Sequence, residues 1–442
     1  MSELNKKYDA LVIGGGITGM QSALDLAEQG FSVLLVERGP SIGGVMVGLN
    51  KVFPTLDCSS CICTPRMAES AHHPNIRLQT YTEVLAVTSE GDDFNVRVRL
   101  KPRYVIEDKC IGCSQCELAC PVFVPHEFDY GLGARRAIYI PHGNAIPQVA
   151  LLDLEYCTLC GRCEKVCPTN CIDYTQEPVE TEVTVGAVVV ATGLEITPMD
   201  IKPEYGGTKY INVMNPLAME RVQSSNGPYG RLLRPSDGKV PKKIAYVQCA
   251  GSRDRSIGIP YCSRVCCMYA LKQALLIRHY IHDVDVTIYY MDIRAFAKGY
   301  EEFYRRVEKD GVNMVKGKVA KITETDNNDL LVRVELQEEE GRVVERRYDM
   351  VVLSQGLIPG WKNMDIMGVD IAIDGFIKAV SPKISPTLTS RRGVFMAGVA
   401  AGPKDIPDAI IEAGAAAMEA AMYLKQTGFK MGLEVLSGEV VS

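Results

Sequence analysis

Sixteen cysteines carry most of the chemistry available to this sequence of 442 residues. Eight of them form two identical runs, Cys-x2-Cys-x2-Cys-x3-Cys-Pro, the spacing by which bacterial two-cluster ferredoxins bind iron–sulfur cubes. In those ferredoxins the fourth cysteine of each run binds the other cube. The spacing therefore predicts two [4Fe-4S] clusters, one on Cys110, Cys113, Cys116 and Cys167 and the other on Cys157, Cys160, Cys163 and Cys120.

Four further cysteines lie together between residues 248 and 272. Cys249 follows a predicted strand at residues 243–248, and Cys262, Cys266 and Cys267 precede a predicted helix at 268–280. A nucleotide-binding turn at this place would carry a glycine fingerprint. Four thiolates are instead the ligand count of an iron–sulfur cube. Buried free thiols and a disulfide pair are the two alternatives.

The remaining four cysteines give a weaker signal. Cys58, Cys61 and Cys63 lie within six residues, one ligand short of a cube, so either a partner completes a further cluster there or the segment is a plain loop near a cofactor. We expect Cys171 to pack as a small apolar residue.

A glycine-rich turn near the N-terminus predicts dinucleotide binding. It follows a predicted strand at residues 8–13 and precedes a helix and a second strand at 32–36. Gly14 suits the tight turn, Gly16 the close approach of a pyrophosphate, and Gly19 the close packing of helix on strand. Glu37 ends the second strand, where it is expected to accept hydrogen bonds from both ribose hydroxyls.

Later motifs favour FAD over NAD and a two-dinucleotide-binding flavoprotein fold. They are an acidic–basic pair and two glycines after the second strand, an Ala-Thr-Gly sequence ending a strand at 183–190, and a strand-to-helix segment near the C-terminus. The predicted FAD contacts from these motifs are Arg38, Gly43, Gly44, Ala191, Thr192, Gly193, Gly398, Asp405 and Ile406. A predicted helix at 409–424 would direct its positive N-terminal end at the flavin.

Composition changes divide the chain into five predicted segments. Residues 1–100, 179–237 and 356–442 would form the FAD-binding domain and a connector, 101–178 an inserted ferredoxin-like domain, and 238–355 a second nucleotide-domain-like module carrying a cluster. The net charge of −6 argues against nucleic-acid binding and against a basic membrane anchor. We find no signal peptide and no apolar run that could span a membrane, and therefore expect a cytoplasmic protein, tail-like only at its last ten or so residues.

Taken together, the motifs at residues 14–19, 54–58, 110–171, 249–272 and 402–407 resemble the A subunit of heterodisulfide reductase. The resemblance implies an α/β, thioredoxin-reductase-like flavoprotein fold with an inserted two-cluster ferredoxin domain, bound FAD, and a third cube on Cys249, Cys262, Cys266 and Cys267. It also implies that Lys272 lies beside the flavin ring as a catalytic residue. The sequence shows no counterpart of the terminal cluster domains of the longest members, and is similar in length to the A subunit of the quinone-interacting oxidoreductase complex.

The favoured hypothesis is an electron-transfer subunit, in its finer form an electron-bifurcating one. Its expected partners are subunits of the B and C type and an electron donor, acceptor or ferredoxin, in a hetero-oligomer that could also dimerise. The alternative is a self-contained NAD(P)H-dependent oxidoreductase, which needs a nucleotide site where the chain has Cys249 and its neighbours. A redox-silent scaffold is the third hypothesis.

Overall fold

The computed structural model describes residue 4 and residues 7–428, so the expected tail and the end of the last predicted segment lie outside the described residues. The strands are β1 (Lys7–Ile13), β2 (Val33–Val36), β3 (Ile76–Gln79), β4 (Thr82–Glu90), β5 (Asp93–Leu100), β6 (Phe123–Pro125), β7 (Ala134–Arg136), β8 (Ile138–Tyr139), β9 (Leu151–Leu152), β10 (Val179–Val190), β11 (Leu194–Ile196), β12 (Val213–Met214), β13 (Lys243–Val247), β14 (Asp285–Tyr290), β15 (Asn313–Glu324), β16 (Leu330–Leu336), β17 (Arg342–Tyr348), β18 (Met350–Leu353), β19 (Leu357–Pro359) and β20 (Val394–Met396). The α-helices are α1 (Ile17–Glu28), α2 (Ser59–His72), α3 (Gln115–Ala119), α4 (Arg162–Val166), α5 (Pro216–Gln223), α6 (Cys266–Tyr280), α7 (Tyr300–Lys309) and α8 (Ile406–Thr427).

The first sheet has the strand order β3-β2-β1-β10-β5-β4, and β20 also pairs with β10. Its β1, β2, β3, β10 and β20 are parallel, whereas β5 pairs antiparallel with the first half of β10. The apolar, β-branched run of β10 is buried because helices and loops cover both faces of the sheet. Helices α1 and α8 pack on one face.

The second sheet has the strand order β12-β18-β13-β14-β15-β16-β17. Its first five strands are parallel and its last two continue as antiparallel hairpins. Helix α6 is apolar on nearly every side and is buried against this sheet. Strands β11 and β19 form a short antiparallel ladder where the chain passes between the two sheets.

The chain between β5 and β10 forms a small separate unit. It carries α3, α4 and two two-stranded sheets, β6-β7 and β8-β9. An isolated bridge between Val105 and Ile172 ties its two ends together. Its own core includes the buried Cys116, Cys120 and Cys163, and also Cys171, which packs there as expected.

Most predicted elements around the site are confirmed, with boundaries shifted by at most four residues. Two expectations need correction. The alternating pattern of residues 76–100 predicts a hairpin or meander; β4 and β5 do form such a hairpin, but β3 is a parallel strand of the first sheet. Residues 213–223 were expected to be part of a connector, but they form β12 and α5 of the second domain. In the described part of the chain no helix is long and apolar enough to cross a membrane.

Candidate functional site

The turn between β1 and α1 is Gly14-Gly15-Gly16, and backbone atoms pack closely against Gly14 and against Gly19 in the first turn of α1. A Cβ atom on Gly14 would lie 2.3 Å from the carbonyl oxygen of Ala191, and one on Gly19 would lie 1.7 Å from the carbonyl oxygen of Gly14. No side chain fits at either position. A Cβ on Gly16 would meet only the Cα of Gly44, at 3.9 Å, because Gly16 borders an open cavity.

That cavity has a volume of about 810 Å³ and is lined by strands of the first sheet on one side and by residues of α5 and α6 from the second domain. Eleven of the predicted residues line it: Gly14, Gly16, Glu37, Arg38, Gly44, Ala191, Thr192, Gly193, Lys272, Asp405 and Ile406. Gly19, Gly43 and Gly398 lie behind its wall. Gly43 donates from its N–H to Gly15 over 2.8 Å, and a Cβ on Gly398 would lie 2.4 Å from the hydroxyl of Thr18.

The properties of this cavity fit a dinucleotide cofactor. Its volume lies in the range of roughly 300–1,000 Å³ typical of ligand and cofactor sites. Within the described residues, the buried Thr192 Oγ1 and Gln273 Oε1 have no hydrogen-bond partner, and both residues line the cavity. The N-terminal ends of α1 and α8 also lie at its wall, where unpaired backbone N–H groups favour an anion.

Glu37 and Arg38 lie at one end of the cavity. The two carboxylate oxygens of Glu37 accept hydrogen bonds from the N–H groups of Gly15 and Gly39, each over 2.6 Å. A carboxylate has about four acceptor positions, so Glu37 keeps the capacity to accept from a ribose. The side chain of Arg38 is 58% exposed and lies 3.5 Å from Glu195.

A buried ion pair forms another part of the wall. Lys272 Nζ donates to Glu220 Oε1 over 2.5 Å and to the carbonyl oxygen of Lys51 over 2.7 Å, and both charged side chains are 2% exposed. Burial lowers the pKa of Lys272, and Glu220 opposes that shift. Gln273 also donates to Glu220, and the Asn50 N–H donates to its second oxygen over 3.0 Å.

Glu220 was missed by sequence reasoning, because α5 was taken for part of a connector. Lys404 was missed as well; it is a cavity residue that is 7% exposed and paired with Glu412. Burial lowers the pKa of Lys404, while Glu412 raises it. Beside it, Asp405 caps α8 by accepting from the Asp408 N–H over 3.0 Å.

The cysteines that follow β13 come together at the start of α6. Cys266 and Cys267 are the first residues of the helix and are buried. Burial, and then neighbouring Cys267 and Cys249, hold the pKa of Cys266 well above its ordinary value. Burial, with Cys249 and Cys262 among the further causes, raises the pKa of Cys267 to about 12. The four thiols are therefore mutual neighbours, which fits a cube whose iron charge would favour the thiolates.

Helix α6 joins these cysteines to the cavity. Cys266 Sγ donates to the carbonyl oxygen of Gln355 over 3.4 Å, and the hydroxyl of Tyr269 donates to the same oxygen over 2.9 Å. Tyr269, Lys272 and Gln273 all line the cavity. At a rise of 1.5 Å per residue, Cys266 and Lys272 are about 9 Å apart along the helix.

The cysteines of the inserted unit lie in two groups. Cys120, Cys157, Cys160 and Cys163 line one small cavity. Burial is the main cause that raises the pKa of Cys116 to about 12, with Cys110 and Cys113 contributing and also Cys163 of the first group. The sulfur of Cys167 lies 3.4 Å from that of Cys171. Burial raises the pKa of Cys171, and nearby Cys110 raises it further. Cys167 therefore lies on the same side of the unit as Cys110.

Within the described residues, no three His, Cys, Asp or Glu side chains converge closely enough to bind a single metal ion. In a cube, by contrast, each thiolate binds a different iron atom. Cys58 and Cys61 form a disulfide, and Cys63 is buried apart from them.

Two protein-family models match the chain. Residues 9–48 match the FAD dependent oxidoreductase family, and residues 107–171 match the 4Fe-4S dicluster domain. The first match covers the glycine turn and Glu37, and the second covers both cysteine runs. These matches support FAD and iron–sulfur clusters as cofactors.

Several curated proteins are similar over nearly the whole chain. The A subunit of the H(2):CoB-CoM heterodisulfide,ferredoxin reductase from Methanothermobacter thermautotrophicus is 47% identical over 426 residues, 95% of this chain and 64% of that protein. An iron–sulfur A subunit of the CoB–CoM heterodisulfide reductase from Methanopyrus kandleri is 46% identical over 450 residues, 99% of this chain and 67% of that protein. The chain thus spans about two thirds of the length of these relatives.

Solved structures support the fold. Thioredoxin reductase from Lactococcus lactis has a TM-score of 0.54 at 16% identity, covering 95% of this chain and 99% of that one. Thioredoxin reductase from T. acidophilum has a TM-score of 0.53 at 15% identity, covering 96% of this chain and 100% of that one. The chain has a thioredoxin-reductase-like fold that carries an inserted dicluster domain, as predicted.

Proposed function

The chain belongs to the family of heterodisulfide reductase A subunits, and from that premise we propose that it transfers electrons between FAD, iron–sulfur clusters and partner proteins, as one subunit of an oxidoreductase. FAD would occupy the cavity beside Gly14, Gly16 and Thr192. Two [4Fe-4S] clusters would be bound by the inserted unit. A third would be bound by Cys249, Cys262, Cys266 and Cys267.

The observation that carries this proposal is the shared helix α6. Its first turn supplies Cys266 and Cys267, and its next turns supply Tyr269 and Lys272 to the cavity wall. Two redox groups bound to one short, buried helix would be close enough to exchange electrons. When bound, FAD exchanges electrons singly or in pairs, whereas a cluster carries one.

The residues of the cavity would orient the cofactor and set its electrostatic environment. Lys272 presents a buried positive charge whose position is fixed by Glu220 and the carbonyl oxygen of Lys51. A cation there would stabilise negative charge on the flavin, as would the partial positive charge at the α8 N-terminus beside Asp405 and Ile406. Gly16 leaves the backbone open to a pyrophosphate at the start of α1.

The relatives' names indicate the class of partner. Those names include a CoB–CoM heterodisulfide, ferredoxin and H(2) for the relative from Methanothermobacter. For this chain we infer partner subunits of the B and C type that carry out the disulfide chemistry, and a separate electron donor or acceptor such as a ferredoxin. In the finer form of the proposal, the cavity is the place where electron pairs are divided between two acceptors.

An anaerobic titration of the FAD-loaded, iron-replete protein tests this function. NADH and NADPH should leave the flavin absorbance unchanged. A reduced low-potential ferredoxin, too large to enter the cavity, should bleach the flavin fully through the clusters. Cys266→Ser should slow that bleaching at least about tenfold, equivalent to ~1.4 kcal/mol in the barrier. Cys63→Ala is the matched control, because Cys63 is buried in the core of the other domain.

Rapid bleaching by NADH alone would overturn the proposal and make the chain a self-contained dehydrogenase. Unchanged bleaching by ferredoxin in Cys266→Ser would remove the route through α6. Iron analysis of the same samples checks that the substitution removed one cluster and left the two in the inserted unit.

A further inference from the structure

The sequence Cys58-Ser-Ser-Cys61 lies at the start of α2, away from the cysteines assigned to clusters. Its two cysteines form a disulfide with their Cα atoms 5.2 Å apart. Cys58 caps α2, since its sulfur accepts from the Cys61 N–H over 3.2 Å. Cys58 is half-buried and Cys61 is exposed. The bond is therefore open to attack from solution.

The third cysteine of this segment faces the protein core. Cys63 is fully buried, its sulfur donates to the carbonyl oxygen of Gly43 over 3.8 Å, and it packs in the core of the first domain. Burial raises the pKa of Cys63 to about 11. Only two of the three thiols are therefore available at the surface, which does not match a three-ligand cluster site.

We propose that Cys58 and Cys61 form a reversible dithiol–disulfide couple that exchanges with thiols and disulfides in solution. A thiolate of an incoming dithiol attacks Cys61 Sγ, forming a mixed disulfide and releasing Cys58 as a thiolate. The second thiolate of the dithiol then displaces Cys61. In total two electrons and two protons pass to the pair, the incoming dithiol becomes its own disulfide, and the reverse sequence oxidises the pair.

The geometry assigns different parts to the two sulfurs. Cys61 is the more exposed and is the one an incoming thiol can reach. Cys58 is the better leaving group, because the Cys61 N–H and the N-terminal end of a helix that continues to His72 stabilise its thiolate. The same arrangement of two cysteines in the first turn of a helix is the basis of reactive C-x-x-C pairs.

The pair is connected to the wall of the cavity by a short turn. Cys58 pairs with Lys51 in an antiparallel bridge, and Val52 donates from its N–H to Asp57 over 3.0 Å. Lys51 lines the cavity, and its carbonyl oxygen accepts from Lys272. The Cys58–Cys61 couple, which carries two electrons, would thus be separated by one short loop from the FAD cavity, whose cofactor also carries two electrons. That link to the flavin rests on the proposed function, whereas the couple itself does not.

Quantitative alkylation of the full chain tests the couple. The protein is equilibrated with mixtures of reduced and oxidised dithiothreitol, quenched with iodoacetamide and digested for peptide mass spectrometry. Cys58 and Cys61 should gain two labels together as the mixture becomes reducing, while Cys63 is labelled only after denaturation. Cys61→Ser should leave Cys58 labelled at every ratio. Cys63→Ala should leave the two-label transition unchanged.

Two outcomes would overturn the inference. One is that Cys58 and Cys61 are labelled at every ratio of the dithiothreitol mixture. The other is that both stay protected until iron is removed by a chelator and that Cys61→Ser loses a cluster's iron, which would make them cluster ligands. The labelling does not depend on FAD, so its failure is distinguishable from failure of the proposed function.

Discussion

The two sheets carry different ligand-binding turns at equivalent positions, after a central strand that has a parallel neighbour on each side. In the first sheet β1 lies between β2 and β10, and in the second β13 lies between β14 and β18. Each of these central strands leads into a helix, α1 or α6. After β1 the turn is three glycines, whereas after β13 residues 248–265 form a long loop that ends at two cysteines. The topology determines where a ligand can bind, and the residues of the turn determine which ligand it is.

The two turns also differ in how their backbones are held. In the first turn the positive φ of 110° falls on Gly14, where no side chain is strained. In the second, positive φ values fall on Cys249, Arg253 and Arg264. Such conformations cost energy for residues with a Cβ and cluster at functional sites. The first turn is thus fixed by tight packing and the second by the side-chain contacts of its own loop.

The largest expected effect on cofactor binding is that of adding one methyl group at Gly19, where α1 packs against the first turn. The Cβ of Gly19→Ala would overlap the carbonyl oxygen of Gly14, a backbone atom that cannot move without displacing β1. We expect destabilisation of about 3 kcal/mol and loss of bound FAD. Thermal unfolding and flavin absorbance of the purified variant measure both.

The matched variant in the second turn is Gly258→Ala. A Cβ there meets no atom within 4 Å, and its cost of about 1 kcal/mol comes only from the positive φ of 76°. It should retain its iron and its flavin. If Gly19→Ala kept a full complement of FAD, or if Gly258→Ala were the more damaging change, the contrast between a packed and an open turn would be wrong.

The sequence predicts those parts of the molecule whose signal is local. The glycine turn, the two ferredoxin runs and strands such as β1 and β13 each lie within a short stretch, so spacing and periodicity identify them. Glu220 could not be found in this way. It reaches Lys272 only because the short α5 packs against α6, and nothing in its own segment marks a site.

The Cys58–Cys61 pair shows a similar limit. The spacing of three cysteines in six residues left a cluster and a plain loop as alternatives. Only the direction of α2 shows that Cys63 turns into the core while the other two stay near the surface. Burial depends on the packing of the whole domain, which a single segment does not reveal.

The next prediction concerns the stability that the ion pair between Lys272 of α6 and Glu220 contributes. Among the described residues, the turn after β1 has no equivalent ion pair. Lys272→Met would leave Glu220 buried at 2% exposure without its cation. Breaking a buried pair by removing one partner costs about 3–5 kcal/mol, because an uncompensated charge remains. Denaturant unfolding of the apoprotein should show this loss.

The double variant Lys272→Met/Glu220→Gln removes both charges and should recover most of that stability. Its flavin potential should nevertheless stay below that of the wild type, because the cation beside the cofactor is still missing. Equal destabilisation of the single and double variants would mean that Lys272 contributes packing and not charge compensation.

The smallest expected effect is a shift of the reduction potential of the cluster, caused by charged side chains in the second turn. Arg253 contacts Cys249 Sγ at 4.0 Å and forms an ion pair with Asp292, a carboxylate that also lies near the cysteines. A reduced cluster carries one more negative charge than an oxidised one, so a nearby cation favours reduction. Because Asp292 offsets much of the charge of Arg253, we expect Arg253→Gln to lower the cluster potential by only about 60 mV, a tenfold change for a one-electron couple.

Asp292→Asn should shift the same potential in the opposite direction, since it leaves the cation uncompensated. Arg255→Gln is the control, because Arg255 lies in the same loop but is exposed and screened by solvent. A redox titration followed by electron paramagnetic resonance measures all three variants. Shifts of the same sign in Arg253→Gln and Asp292→Asn would show that these residues act through the shape of the loop. Opposite signs would show that they act through their charges. In that case side-chain charges set the properties of the second turn, whereas backbone packing sets those of the glycine turn.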